Sequence, residues 1–199
     1  MPRKTINENR RWLGNLNVSW ADDAQNGGRE AGFAELDIGH AYRPVANDRL
    51  NLIAKYSYLY DLPTEGQAST RPDERSHLVS IDAIYDLGGR WELGGKLAFK
   101  EGERRGTRGS GPWQEFGLRL TTVRARYHVN KTWDALAEYR WLSDVDGAST
   151  REGVLLGLYR SLGDRFKAGV GYNFTDFDDD LRNDGYDNRG WFLDFVGKY

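Results

Sequence analysis

Apolar and polar residues alternate along almost the whole chain. In 133–142, Trp133, Ala135, Ala137, Tyr139 and Trp141 take one parity, and Asp134, Leu136, Glu138 and Arg140 the other. Segment 91–100 sets Trp91, Leu93, Gly95, Leu97 and Phe99 against Glu92, Gly94, Lys96, Ala98 and Lys100. Segment 50–60 sets Leu50, Leu52, Ala54, Tyr56, Tyr58 and Tyr60 against Asn51, Ile53, Lys55, Ser57 and Leu59. A period of two marks a strand with two unlike faces, and no helical period competes with it. The pattern predicts ten strands: 11–20, 32–43, 50–60, 77–87, 91–100, 115–129, 133–142, 154–162, 166–175 and 190–199. Pro2, Pro44, Pro63, Pro72 and Pro112 all fall between them, as residues that cannot donate to a ladder should.

The connections alternate in length. Short turns at Asn47-Asp48-Arg49, Gly88-Gly89-Arg90, Asn130-Lys131-Thr132 and Gly163-Asp164-Arg165 alternate with long polar joins such as "TEGQASTRPDE" and "EGERRGTRGSGPW". A weak repeat accompanies the turns: "LGGRWELGGKL", "LGDRFKAGVGY", "VNKTWDALAEY" and, more loosely, "ANDRLNLIAKY" each run from a turn through a large apolar residue into an alternating strand. Short turns on one rim, long loops on the other and aromatics toward the strand ends are the pattern of a membrane barrel. The fold expected is all-β: an antiparallel, up-and-down transmembrane β-barrel of about ten strands over 11–199, with 1–10 as a periplasmic extension or linker.

Two strands strain the pattern. Phe116, Leu118 and Leu120 stand on the opposite parity to Val123, Ala125, Tyr127 and Val129, which predicts a bulge near Thr121 and Thr122. Placing Val154, Leu156 and Leu158 on the apolar face puts Arg160 there as well, near enough to the rim to snorkel.

Composition narrows the classes. Among 199 residues, hydrophobics make up 39%, charged residues 29% and aromatics 13%, with 24 glycines. The mean hydropathy of −0.73 rules out membrane-spanning helices, whereas a barrel, with only alternate residues in lipid, escapes such averaging. A net charge of −2 gives no basic excess for nucleic acid, and the absence of cysteine removes disulfide and thiolate chemistry. "MPRKTINENR" lacks the apolar core of a secretory signal, so either a signal has been removed or sequence precedes it.

The last ten residues, "GWFLDFVGKY", resemble the terminal β-signal of bacterial outer-membrane barrels, in which a final aromatic residue follows alternating hydrophobics. Tyr199, Phe195, Leu193 and Trp191 match, while Gly197 replaces a bulkier residue. "GVGYNFTDFDDDL" looks like the penultimate strand and loop of barrel modules that end larger Gram-negative surface proteins. The resemblance implies a bacterial outer-membrane location and contact with lipid and lipopolysaccharide. It also implies recognition by the barrel-assembly machinery, closure of the last strand against the first, and an upstream passenger domain in the same polypeptide.

With the apolar face outward, turn-aligned strands place His128 opposite Asp134, Arg124 opposite Glu138 and Asp82 opposite Lys96. Together with Arg126 and Arg140 these are the candidate lumen charge network. The acidic run Asp176, Asp178, Asp179, Asp180, Asp184 and Asp187 fails the EF-hand pattern, because Leu181 stands where glycine is required. It is expected to be a solvated outer loop. No metal, cofactor or catalytic residue is expected; His77, with Asp73 and Glu74 nearby, is the closest approach to an outer-rim hydrolase. The function expected is a membrane anchor or export domain of a larger envelope protein. A stand-alone narrow porin-like channel and, behind it, the hydrolase are the alternatives.

Overall fold

Each alternating segment forms a strand that pairs with its neighbours in sequence. The computed structural model describes residues 5–7, 9–22, 29–44, 46–62, 72–106, 111–163, 165–177, 181 and 189–197. Its strands are β1 (Thr5–Asn7), β2 (Arg10–Asp22), β3 (Arg29–Tyr42), β4 (Leu50–Leu62), β5 (Asp73–Gly88), β6 (Trp91–Arg105), β7 (Gln114–His128), β8 (Trp133–Asp144), β9 (Thr150–Leu162), β10 (Phe166–Asn173) and β11 (Gly190–Gly197). All lie in chain order in one antiparallel sheet, of which β2 to β11 are the ten expected strands. No helix occurs among the described residues.

Local chemistry places the strand ends at the short turns. Gly88 and Gly89 take φ of 79° and 68°, and Gly163 takes 72°, values that only glycine adopts cheaply. Asn130 Oδ1 accepts from the backbone N–H groups of Thr132 (2.9 Å) and Trp133 (3.0 Å), folding the turn between β7 and β8. At the opposite, loop rim the strands run beyond the predicted limits: β5 starts at Asp73 and β6 continues to Arg105. There the ladder carries charged partners, Asp73 opposite Arg105 and Arg75 opposite Glu103, in place of apolar ones.

The two faces differ sharply. Trp91, Leu93, Leu97, Phe99, Val123, Tyr139, Trp141, Leu156, Leu158, Trp191, Leu193 and Phe195 share one face and are exposed. Trp133 and Tyr56 lie on it half-buried. The opposite face contains the buried Lys100, Asp134, Glu138 and Arg140. The sheet curls toward this polar face: Phe177, which follows β10, and Ala98 of β6 belong to one buried cluster, although a flat sheet would hold those two strands roughly 19 Å apart at ~4.8 Å per strand. The polar face is therefore the inner one.

Two expectations are corrected. The register of β7 with β6 and with β8 runs without a shift past Thr121 and Thr122, so the predicted bulge is absent. Leu118 and Leu120 point inward because Ala98, Leu142, Phe177 and Leu181 bury them there. The predicted pairing of the last strand with the first is also not made. Among the described residues β11 pairs only with β10, and the open edge of β2 carries β1, with Thr5 opposite Arg11 and Asn7 opposite Arg10. The folded-back β1 occupies the turn-rim end of the edge that β11 needs. Tyr199 lies outside the described residues.

Candidate functional site

The inner face of β5 to β10 holds a chain of ion pairs running from rim to rim. At its waist Arg124 donates to Asp82 Oδ2 at 2.5 Å, reaching across the whole of β6, and its Nε lies 3.6 Å from Glu138 Oε2. This reach needs Gly94, the β6 register partner of Arg124, because a Cβ there would meet Arg124 Cγ at 2.6 Å. Arg140 donates to Glu138 Oε1 at 2.5 Å, both side chains buried, so one carboxylate serves two guanidinium groups. Glu138 is thus a buried carboxylate with two cationic partners, the condition under which a buried ion is tolerated.

Toward the turn rim, Arg126 donates to Glu92 at 2.8 Å, and His128 Nδ1 donates to Asp134 Oδ1 at 2.6 Å. Lys167 of β10 pairs with the other Asp134 oxygen from two strands away. Toward the loop rim, Lys100, 1% exposed, pairs with Glu74 at 2.9 Å, and Arg104 approaches the same carboxylate at 3.5 Å. Lys96 stands opposite Asp82 in register and is not without a partner. Thr122 Oγ1 and Arg126 Nε are buried without a hydrogen-bond partner, a demand that internal water can meet.

Large side chains lie flat where the inner wall is glycine. Tyr159 covers Gly169, and Phe192 covers Gly171, each closely enough to exclude a Cβ. At the loop end an apolar cap closes the stack. Asn173 Oδ1 accepts from the Thr175 N–H at 3.0 Å, turning the chain inward over Gly153, and Phe177 and Leu181 then bury against Leu118, Leu120 and Leu142. Arg151 lies 5.4 Å from the Phe177 ring centroid. Leu181 holds a left-handed φ of 54°, unfavourable for a branched residue, so packing at the cap outweighs local strain. Sequence reasoning did not find this cap; its only signal was the inward parity of Leu118 and Leu120.

The outer face ends in aromatic and charged pairs at both rims. At the loop rim the Arg75 and Arg105 guanidinium groups each lie 4.6 Å from the Trp113 ring centroid. His77 is also on the outer face: its Nδ1 shares a hydrogen bond with the Tyr56 hydroxyl at 2.8 Å, and its ring sits 5.0 Å from that of Tyr58. A cleft of about 750 Å³ opens there, lined by His77, Glu101, Glu103, Glu115 and Asp146. Among the described residues the imidazole's hydrogen-bond partner is the Tyr56 hydroxyl and not a carboxylate. Asp73 and Glu74 are engaged by Arg105 and Lys100 instead. No cluster of metal-ligating residues occurs among the described residues, and of the acidic run Asp178, Asp179, Asp180, Asp184 and Asp187 lie outside them.

No protein-family model matches the chain, and no curated protein matches it.

Proposed function

We propose that the chain is an outer-membrane β-barrel that closes in the membrane when β11 replaces β1 at the free edge of β2, and that serves as the membrane anchor or export domain of a larger envelope protein. The observation that carries this reading is the inverted distribution of side chains. Leu97, Val123, Trp141 and Leu158 are exposed while Lys100, Glu138 and Arg140 are buried. In water, each large apolar side chain left bare forgoes about 1.5–3 kcal/mol of burial, and a continuous apolar face of this kind is rare on soluble monomers. In hydrocarbon the same face is at its minimum.

The dimensions support the reading. From Trp91 to Phe99 the apolar side of β6 covers about 26 Å along the strand at ~3.3 Å per residue, before tilt, against an apolar band of about 25 Å in outer-membrane barrels. Closure follows from the solvent, because an unpaired edge in lipid leaves each N–H and C=O unsatisfied. β2 begins and β11 ends at the same rim, so the two can pair antiparallel. The ion pairs, Tyr159, Phe192 and the cap all lie on the inner face, an arrangement that favours anchoring over free permeation.

The chain has no cysteine, so engineered pairs report cleanly. Cysteine pairs between β2 and β11, scanned around Gly14 with Leu193, are expected to form an intramolecular disulfide in one register when the chain is assembled in a Gram-negative outer membrane. Recovery of the chain in a soluble fraction, or failure of every register to cross-link, contradicts the proposal.

A further inference from the structure

The apolar outer face ends at the turn rim in guanidinium groups held on aromatic side chains. Arg160, the register partner of Trp133, has its guanidinium carbon 5.4 Å from that ring's centroid. Arg10 lies 5.3 Å over its register partner Tyr42. Arg90 donates to the Tyr127 hydroxyl at 3.3 Å, and Tyr127 packs on Trp91 with centroids 4.8 Å apart. None of these three arginines has a carboxylate partner among the described residues. The adjoining turns add Arg43, Arg49 and Arg165, all exposed. Against them stand Asp48, Asp86 and, by sequence, Asp164 beside Arg165, and Asp86 Oδ1 is engaged by the Gly88 N–H at 2.7 Å.

The loop rim is mixed in charge: Glu101, Glu103, Glu115 and Asp146 line one outer cleft together with Arg75, which pairs with Glu103. What sets the turn rim apart is that Arg10, Arg90 and Arg160 lack carboxylate partners among the described residues, whereas Arg75 and Arg105 at the loop rim pair with Glu103 and Asp73, in a chain whose net charge is −2. A guanidinium held against an aromatic side chain at the edge of the apolar band keeps donors that can grip a phosphate in bidentate fashion. An ammonium at the same place would be a mobile point charge.

We infer that the turn rim is a binding surface for anionic phospholipid headgroups, with Arg10, Arg90 and Arg160 taking the phosphates of the leaflet that meets the short turns. The inference rests on the membrane reading above and adds the partner of one rim. It follows from the chemistry that the arginines set the barrel's depth in the bilayer as well as its lipid neighbours.

The test uses chains retaining a single tryptophan, Trp133 at the turn rim or Trp141 at the loop end of the same strand, with the others replaced by phenylalanine. They are folded into phosphatidylcholine bilayers containing a minority of phosphatidylglycerol, with either lipid brominated on the acyl chain beside its headgroup. Brominated phosphatidylglycerol is expected to quench Trp133 more than an equal mole fraction of brominated phosphatidylcholine, and Trp141 equally with both. Combining Arg10→Gln, Arg90→Gln and Arg160→Gln is expected to abolish the excess at Trp133 while leaving quenching by phosphatidylcholine. Equal quenching of Trp133 by the two lipids, or an excess that survives the triple substitution, overturns the inference and leaves the membrane reading standing. Absence of quenching by either lipid at both tryptophans overturns the two together. Native mass spectrometry of the chain with all its tryptophans, folded in the same mixture, is an independent readout: phosphatidylglycerol should stay bound preferentially, and the triple variant should lose that preference.

Discussion

Arg124 lies flat across Gly94 to donate to Asp82 two strands away, at 2.5 Å. The relationship joins three strands through one side chain, and it exists only because the residue between has no Cβ. Gly94→Ala is therefore expected to displace Arg124 and destabilise the fold by about 1–3 kcal/mol, read as the denaturant midpoint in detergent or lipid. In an Arg124→Ala background the same glycine substitution should cost little. An equal cost in both backgrounds would mean that the glycine acts through its backbone and not by making room for Arg124.

Leu120 and Val123 are neighbours on β7 with opposite surroundings, 0% and 59% exposed. Leu120→Ala opens a cavity under the apolar cap and should cost about 2–5 kcal/mol. Val123→Ala should stay within about 1 kcal/mol. Val123→Arg separates the solvents, because Val123 pairs with Gly95, midway between Trp91 and Phe99. It should be nearly neutral if that face meets water and cost roughly 2–4 kcal/mol if it meets the bilayer midplane. Unfolding midpoints after refolding into lipid vesicles decide between them.

The side chains on the inner face predict permeability. Planar bilayers holding the purified barrel should show at most small, flickering, ion-sized currents, since ten strands leave little more room than the eight that just enclose packed side chains. Replacing Arg124 and Glu138 together by alanine should raise the conductance several-fold. A steady wide conductance from the unaltered chain would instead promote the narrow-porin alternative. No change on double substitution would place the constriction at the Phe177 and Leu181 cap.

The fold was legible where the information is local. Parity along β6 and β8 assigns Leu97 outward and Glu138 inward without knowledge of any other strand, and the asparagine and glycine turns set the register that brings His128 opposite Asp134. Legibility failed where charge imitates a loop: Glu101, Glu103 and Arg105 continue β6 because each finds a cross-strand partner, which composition reads as solvated coil. It failed again where contacts skip strands. Register yields the residue opposite, Glu138 for Arg124, but not the shorter contact with Asp82 across a glycine. The cap was invisible because Phe177 and Leu181 sit within an acidic run and meet Leu118 and Leu120 only after the sheet has curled. The wrong parity of those two leucines was the trace of it, and a bulge was the local explanation for a tertiary cause. Arg160 is the converse case: its expected place on the apolar face is where it lies, over the Trp133 ring.

The central claim is that the face bearing Leu93, Leu97 and Phe99 meets lipid, and β6 offers the most direct measurement of it. The chain has no cysteine, so nitroxide labels can be placed one at a time from 92 to 99 after reconstitution into bilayers. Collision rates with dissolved oxygen and with a water-soluble nickel chelate then report which solvent each label sees. The predicted result is a period of two, with labels at 93, 95, 97 and 99 open to oxygen and closed to nickel, and those at 92, 94, 96 and 98 shielded from lipid. High nickel collision rates at the odd positions would show that the apolar face is solvated, and would contradict the membrane barrel.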